Sequence, residues 1–169
     1  MLNVYKLADK QLELSPLNLD DIRSHAEKQF QHLTASKRIK LAFEGDRQIA
    51  LVVDRDSFFE GLNNLISNAI HYSPQQTTVR ISISRRASDR ICCAVCDQGK
   101  GIADKDVPYI FEPFYRANEA IGWNEAGSGL GLAIVKQMVE LHRGEIEVVS
   151  SPGEGTCVTM VFPITNRTM

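Results

Sequence analysis

The sequence has one tryptophan, four cysteines and no excess of charge of either sign among its 169 residues. Nineteen Lys and Arg stand against 21 Asp and Glu, a formal net charge of −2. Without a basic excess, the chain is not a nucleic-acid binder working by bulk electrostatics. No apolar run approaches the roughly 18 to 20 residues of a membrane span, and no leader with a signal-peptide pattern opens the chain, which reads as soluble. Repeats and low-complexity stretches are also missing. What is present is 43% hydrophobic residues, which excludes disorder, over a length that suits one compact domain.

The cysteines are too few and too clustered for a disulfide or zinc framework. Cys92, Cys93 and Cys96 share one apolar run, and Cys157 stands apart. Cys93 and Cys96 have C-x-x-C spacing, but zinc needs a second ligand pair that Cys157 alone does not supply. A redox C-x-x-C opens a helix, whereas this run reads as a strand. Four free, buried thiols in a reducing compartment are expected.

Met1–Leu14 reads as the tail of a helix or a tether, broken at Ser15-Pro16. Asn18 or Asp20 then caps a helix running to about residue 35, with Leu19, Ile22, Ala26, Phe30 and Leu33 recurring at three and four. Two short strands follow, Ile39–Phe43 and Ile49–Val53, with Glu44-Gly45-Asp46 turning between them. A second helix spans about Asp56 to Tyr72 and stops at Ser73-Pro74. Thr78–Ser84 and Arg90–Cys96 read as a strand pair, about Gly129 to His142 as a third helix, and Glu145–Ser150 with Thr156–Phe162 as a closing hairpin. Three helices and about six strands make an α+β two-layer sandwich. A mixed sheet of about five strands would be covered on one face by the helices. Residues 97–128 are long, irregular and framed by glycines, which marks a functional loop.

Three stretches carry chemistry. On the second helix, Asn64 and Asn68 are four apart and share a face, continued a turn on by His71 and Tyr72. Asparagine is a mediocre helix former, so two of them beside an apolar stripe are either solvated amides or ligands for a hard cation such as Mg²⁺. Asp97-Gln98-Gly99-Lys100-Gly101-Ile102 follows a strand. It is either an Asp-Gly turn or a carboxylate placed to accept an adenine amino hydrogen, with glycines that let the backbone come close. Gly127-Ser128-Gly129-Leu130-Gly131-Leu132 opens an apolar helix, whose N-terminus suits phosphate, or else is a lid hinge. It is neither a Walker A loop nor a Rossmann fingerprint. Between the glycine clusters lies Phe111-Glu112-Pro113-Phe114-Tyr115-Arg116, where aromatics anchor a lid and Arg116 reaches a phosphate, or a satellite core meets a surface arginine.

Taken in order, these stretches resemble the catalytic, ATP-binding domain of two-component sensor histidine kinases. That domain has the Bergerat fold, in the superfamily that includes gyrase, mismatch-repair and chaperone ATPases. Asn64–Tyr72 resembles the family's N box, Asp97–Ile102 its G1 box, Phe111–Phe114 its F box and Gly127–Leu132 its G2 box, and Gly153–Thr156 resembles its closing G-x-G-T. The resemblance covers about residues 18–163, leaving 1–17 as the end of a dimerisation helix or linker and 164–169 as a tail.

The resemblance implies roles by position. Asn68 coordinates Mg²⁺ and Asn64 contacts phosphate or metal-bound water. His71 stands where the family more often has Lys or Arg near the phosphates. Tyr72 packs near the nucleotide, and Asp97 bonds the adenine amino group in a pocket shaped by Gly99, Gly101 and Ile102. Phe114 and Arg116 belong to the lid, about 104–128. Gly127, Ser128, Gly129, Leu130, Gly131 and Leu132 line the phosphates, and Thr156 lines the adenine side. Hydrolysing relatives carry a glutamate where this chain has Asn64, so water attack on ATP is expected to be slow. None of His25, His32, His71 and His142 resembles a phosphoacceptor motif. The acceptor histidine would therefore sit on a separate dimerisation domain of a longer receptor in the bacterial inner membrane. Its phosphoryl group would be relayed to a response regulator, with this part cytoplasmic and monomeric on its own. Serine-directed kinases of similar length and a non-catalytic docking module are the alternatives.

Overall fold

The computed structural model describes residues 11–117 and 128–164. Seven strands and three α-helices alternate along this part of the chain: β1 (Leu14–Asn18), α1 (Leu19–Lys37), β2 (Lys40–Gly45), β3 (Ala50–Asp54), α2 (Arg55–Tyr72), β4 (Thr78–Arg86), β5 (Arg90–Cys96), α3 (Gly131–Leu141), β6 (Glu145–Ser151) and β7 (Gly155–Pro163). A five-stranded mixed sheet, in the order β2-β4-β5-β7-β6, carries the three helices on one face. β1 and β3 form a separate antiparallel pair.

Local signals explain the helix limits. Asn18 caps α1 through a reciprocal box: its side chain accepts from the Asp21 N–H at 3.0 Å, while the Asp21 carboxylate accepts from the Asn18 N–H at 3.1 Å. Asp54 caps α2 by accepting from the Ser57 N–H at 3.0 Å. At the other end of α2, Lys37 Nζ donates to the Ile70 and His71 carbonyls at 2.8 and 2.7 Å, placing a cation on the negative helix end.

The core lies between α2 and the inner face of the sheet. Phe58, Leu62, Ile66 and Ile70 are wholly buried on α2, and burying each such side chain contributes about 1.5–3 kcal/mol. They meet cross-strand rows such as Ile81, Val95, Val158 and Val148, which are successive register partners from β4 to β6. Buried His142 ties α3 to β3. Its Nδ1–H donates to the Met138 carbonyl at 2.7 Å, and its Nε2 accepts from the Asp54 N–H at 2.9 Å. The outer face carries ion pairs that reach across strands, Arg86–Glu147 at 2.7 Å and Arg90–Glu145 at 3.2 Å. Exposed pairs of this kind add little stability.

Three expectations need correction. Ser15-Pro16 is not a break but part of strand β1, because an edge position paired to β3 accepts Pro16 without a lost donor; residues 1–10 of the expected helix tail or tether lie outside the described residues. The two strands flanking Gly45 do not pair with each other: β2 runs parallel to β4, and β3 joins β1. Gly45, at φ 132°, continues the ladder opposite Ile83, and the chain turns later, where Asp46 Oδ1 accepts from the Gln48 N–H at 2.8 Å. Finally, the four thiols are not all free: Cys96 and Cys157 are joined, while Cys92 and Cys93 stay free and buried.

Candidate nucleotide site

A cavity of about 390 Å³ opens between α2, the ends of β5 and β7, and the start of α3. α2 contributes Asn64, Leu65, Asn68, Ala69 and Tyr72 to its wall, which is one helical face over three turns. The Asn64 Nδ2 donates back to the Glu60 carbonyl at 2.9 Å. The Asn68 amide makes no side-chain hydrogen bond among the described residues. α3 starts at Gly131 with no side-chain cap. A Cβ on Gly131 would come within 2.9 Å of Asn64 Oδ1, so glycine lets the first turn of α3 lie against the asparagine face.

The opposite wall is a carboxylate in a backbone cradle. Asp97 Oδ1 accepts from the Gly99 N–H at 2.8 Å and from the Thr156 N–H at 3.1 Å. Both bonds end on one oxygen, and neither uses Oδ2. Burial raises the Asp97 carboxyl above the usual carboxylate range, against the pull of these two N–H donors. Val95 and Val158 supply apolar wall beside it, and Lys100 Nζ lies 5.3 Å from the Tyr72 ring centre.

Two far-apart segments interlock to make this cradle. Ser150 Oγ accepts from the Ile102 N–H at 2.8 Å and lies 2.7 Å from Thr156 Oγ1. The Gly153 N–H donates to the Lys100 carbonyl at 2.7 Å. Gly101, at φ +72°, leaves no room for a Cβ against the Ser151 carbonyl, and Gly155, at φ +93°, none against the Asp97 carbonyl. The glycines of the two motifs are thus explained by mutual approach.

Of the residues singled out from sequence, the cavity brings together Asn64, Asn68, Tyr72, Asp97, Gly101, Ile102, Arg116, Ser128, Gly129, Gly131, Leu132 and Thr156. His71, Gly99, Phe114 and Leu130 are not on its wall. Gly99 acts through its N–H on Asp97. His71 is exposed and meets Tyr72 edge-on, with ring centres 4.9 Å apart. Phe114, 69% exposed, donates its N–H to the Gly129 carbonyl at 2.9 Å and so joins the described segments on either side of residues 118–127. Leu130 precedes α3 as its N-cap. Gly127 lies outside the described residues. Sequence reasoning missed Val95 and Val158, which strand alternation from Asp97 and Thr156 would have found. It also missed the bond from the Tyr115 hydroxyl to Asp106 Oδ1 at 2.6 Å, for which the sequence holds no signal.

Known proteins resemble this chain in sequence and in fold. Residues 53–166 match the family model described as histidine kinase-, DNA gyrase B-, and HSP90-like ATPase. The alginate biosynthesis sensor protein KinB of Pseudomonas aeruginosa is 34% identical over 161 residues, covering 95% of this chain and 26% of that protein. The sensor histidine kinase WalK of Bacillus subtilis is 40% identical over 119 residues, covering 70% of this chain and 20% of that protein. The chain thus spans about a quarter or less of these two relatives. In fold it is similar to full-length ShkA, solved with AMPPNP, at a TM-score of 0.82, 23% identity, and coverage of 95% of this chain and 33% of that one. The nucleotide-free catalytic domain of histidine kinase ThkA aligns at a TM-score of 0.76 and 22% identity, covering 90% of this chain and 96% of that one. The chain belongs to the histidine kinase-, DNA gyrase B- and HSP90-like ATPase family, as an ATP-binding domain of the sensor histidine kinase type.

Proposed function

We propose that the cavity holds Mg-ATP, with adenine at Asp97 and the phosphates toward Asn68 and α3. The γ-phosphoryl group then passes to a histidine on a separate domain and onward to a response regulator. One observation carries this reading: a single cavity has a cradled carboxylate at one end and an unbonded amide beside an uncapped helix N-terminus at the other. Asp97 Oδ2 accepts the adenine amino hydrogen, while Val95, Val158, Leu65 and Ala69 exclude water around the ring. Gly131 N–H and its neighbours meet the phosphates with the positive end of the α3 dipole. Arg116 adds positive charge from the lid.

Among the described residues, no group of three or more His, Cys, Asp and Glu could hold a metal. A single hard oxygen, Asn68 Oδ1, fits a Mg²⁺ whose other ligands are phosphates and water. When bound, Mg²⁺ neutralises charge on the phosphates. Asn64 cannot take a proton from water, so the domain holds ATP intact until an acceptor arrives. Catalysis is then positioning and charge stabilisation. The lengths of the sensor relatives support a longer receptor that supplies the acceptor, which this reading places in the bacterial inner membrane with the domain in the cytoplasm. No described helix is long and apolar enough to cross a membrane itself.

Calorimetric titration of ATP with and without Mg²⁺ tests the reading. Wild type is expected to bind, Asp97→Ala to lose at least about tenfold, and Asn68→Ala to lose the Mg²⁺ dependence. Labelled ATP and an added histidine-bearing hairpin domain then test transfer. No binding by wild type would point to a docking module, and label on serine without the hairpin to a serine kinase.

A further inference from the structure

β5 and β7 each place one cysteine next to a residue of the cavity wall. Cys96 precedes Asp97, and Cys157 follows Thr156. The two are register partners. In the adjacent pair, the Asp97 N–H donates to the Thr156 carbonyl at 2.8 Å and the Thr156 N–H turns to Asp97 Oδ1, which puts the bonding position of the ladder there. Antiparallel pairs alternate, so Cys96 and Cys157 take the non-hydrogen-bonded position, where facing side chains come closest. Their Cα atoms are 4.0 Å apart and their sulfurs are bonded.

Alternation from core-facing Val95 and Val158 turns both cysteines to the outer face, which no described helix covers. Both are half-exposed there, within reach of a small reagent. Cys92 and Cys93 are different. Both are buried, and burial pushes both thiols up, Cys93 to about 12, which makes them poor competitors for oxidation.

We propose that Cys96 and Cys157 are a reversible thiol–disulfide modification site whose state sets how firmly Asp97 is held. The consequence for nucleotide rests on the ATP reading above; the control of Asp97 does not. The co-reactant is a low-molecular-weight disulfide such as glutathione disulfide. One protein thiolate attacks it, forming a mixed disulfide and expelling one glutathione thiolate. The second protein thiolate attacks the protein sulfur of that bond, closing Cys96–Cys157 and expelling the other glutathione. The protein dithiol loses two electrons and two protons, and the glutathione disulfide gains them as two glutathione thiols.

The coupling is geometric. Asp97 Oδ1 takes one bond from its own loop, at Gly99, and one from the neighbouring strand, at Thr156. Only the second crosses between strands, and the disulfide lies one residue from it. Closed, the disulfide limits separation of β5 and β7 at the cradle. Opened, the cradle depends on the hydrogen bonds at the end of the pair.

The test uses the full chain, oxidised with glutathione disulfide or reduced with dithiothreitol. Intact mass and iodoacetamide labelling count the thiols. Amide exchange at Gly99 and Thr156 is read without nucleotide, and ATP affinity by calorimetry. Oxidation is expected to remove about 2 Da, shield Cys96 and Cys157 from labelling, slow both amides about threefold or more, and tighten ATP binding about threefold or more. Cys157→Ser and Cys96→Ser should each show one affinity in both buffers, that of the reduced wild type. Continued labelling of Cys96 and Cys157 after oxidation overturns the proposal, as does identical exchange in the two states. ATP binding by neither state, with exchange still redox-dependent, would remove the nucleotide reading and uphold redox control of Asp97.

Discussion

The Tyr115 hydroxyl donates to Asp106 Oδ1 at 2.6 Å and closes the loop between them. Asp106 is 6% exposed and accepts this bond at the cavity wall. The bond to Asp106 pushes the Tyr115 phenol up to about 12, from an ordinary value of 10.0. A raised phenol stabilises the fold below its ordinary value and loses that contribution as pH rises through the folded one. One phenol is therefore expected to ionise near pH 12 in an absorbance titration at alkaline pH, and Tyr115→Phe should remove that step. The same variant should unfold at lower urea, because the Asp106 carboxylate loses its donor.

Asp97 gives the opposite end of the pH scale. Burial raises its carboxyl, so its protonated form fits the fold better. Its contribution to stability is present at acid pH and is lost as pH rises from the ordinary carboxylate range through its own raised value. Asp97→Asn keeps an acceptor for Gly99 and Thr156 without the charge. Melting curves across pH 3 to 7 are expected to show a smaller fall in Tm for the variant than for wild type, even though the variant binds ATP poorly. Parallel curves would contradict the burial argument.

The turn glycines separate close approach from conformation. Gly101→Ala meets both a positive φ and the Ser151 carbonyl, and should cost at least about 2 kcal/mol in urea unfolding. Gly153→Ala also faces a positive φ, +81°, but has nothing within 4 Å of its Cβ, and should cost only about 1 kcal/mol. Equal costs would mean that the hairpin and the Asp97 loop do not interlock as described.

Asn64 sits on the cavity wall, and its amide is not a group able to take a proton from water. Asn64→Glu supplies one. Steady-state ATP hydrolysis by the isolated chain is expected to rise about tenfold or more, within the range general bases provide. An unchanged rate, with ATP still bound, would place Asn64 away from the line of water attack.

Much of this was legible because the governing forces are local. Helical spacing set the face of α2, so Asn64, Asn68 and Tyr72 could be put together without coordinates. Asn18, weighed beside Asp20, marked the start of α1. What stayed hidden depends on pairing over distance. Nothing near Gly45 says that β2 continues beside β4 instead of folding back on β3. Cys96 and Cys157, 61 residues apart, meet only because β5 and β7 are neighbours in one register. The Tyr115–Asp106 bond depends in the same way on how a loop closes, and Phe114 reaches Gly129 through its backbone, which its side chain cannot reveal.

The parallel pairing of β2 with β4 has a kinetic consequence. β4 and β5, like β6 and β7, are joined by tight turns, so each hairpin can form with little loop-closure entropy. β2 reaches β4 only after β3 and the whole of α2 have been laid down between them. Its pairing therefore closes a long loop and waits for α2 to dock. In a pulse-labelling experiment the β2 amides should gain protection after those of the β4–β5 hairpin, making this edge the last part of the sheet to be secured and the first exposed when folding stalls.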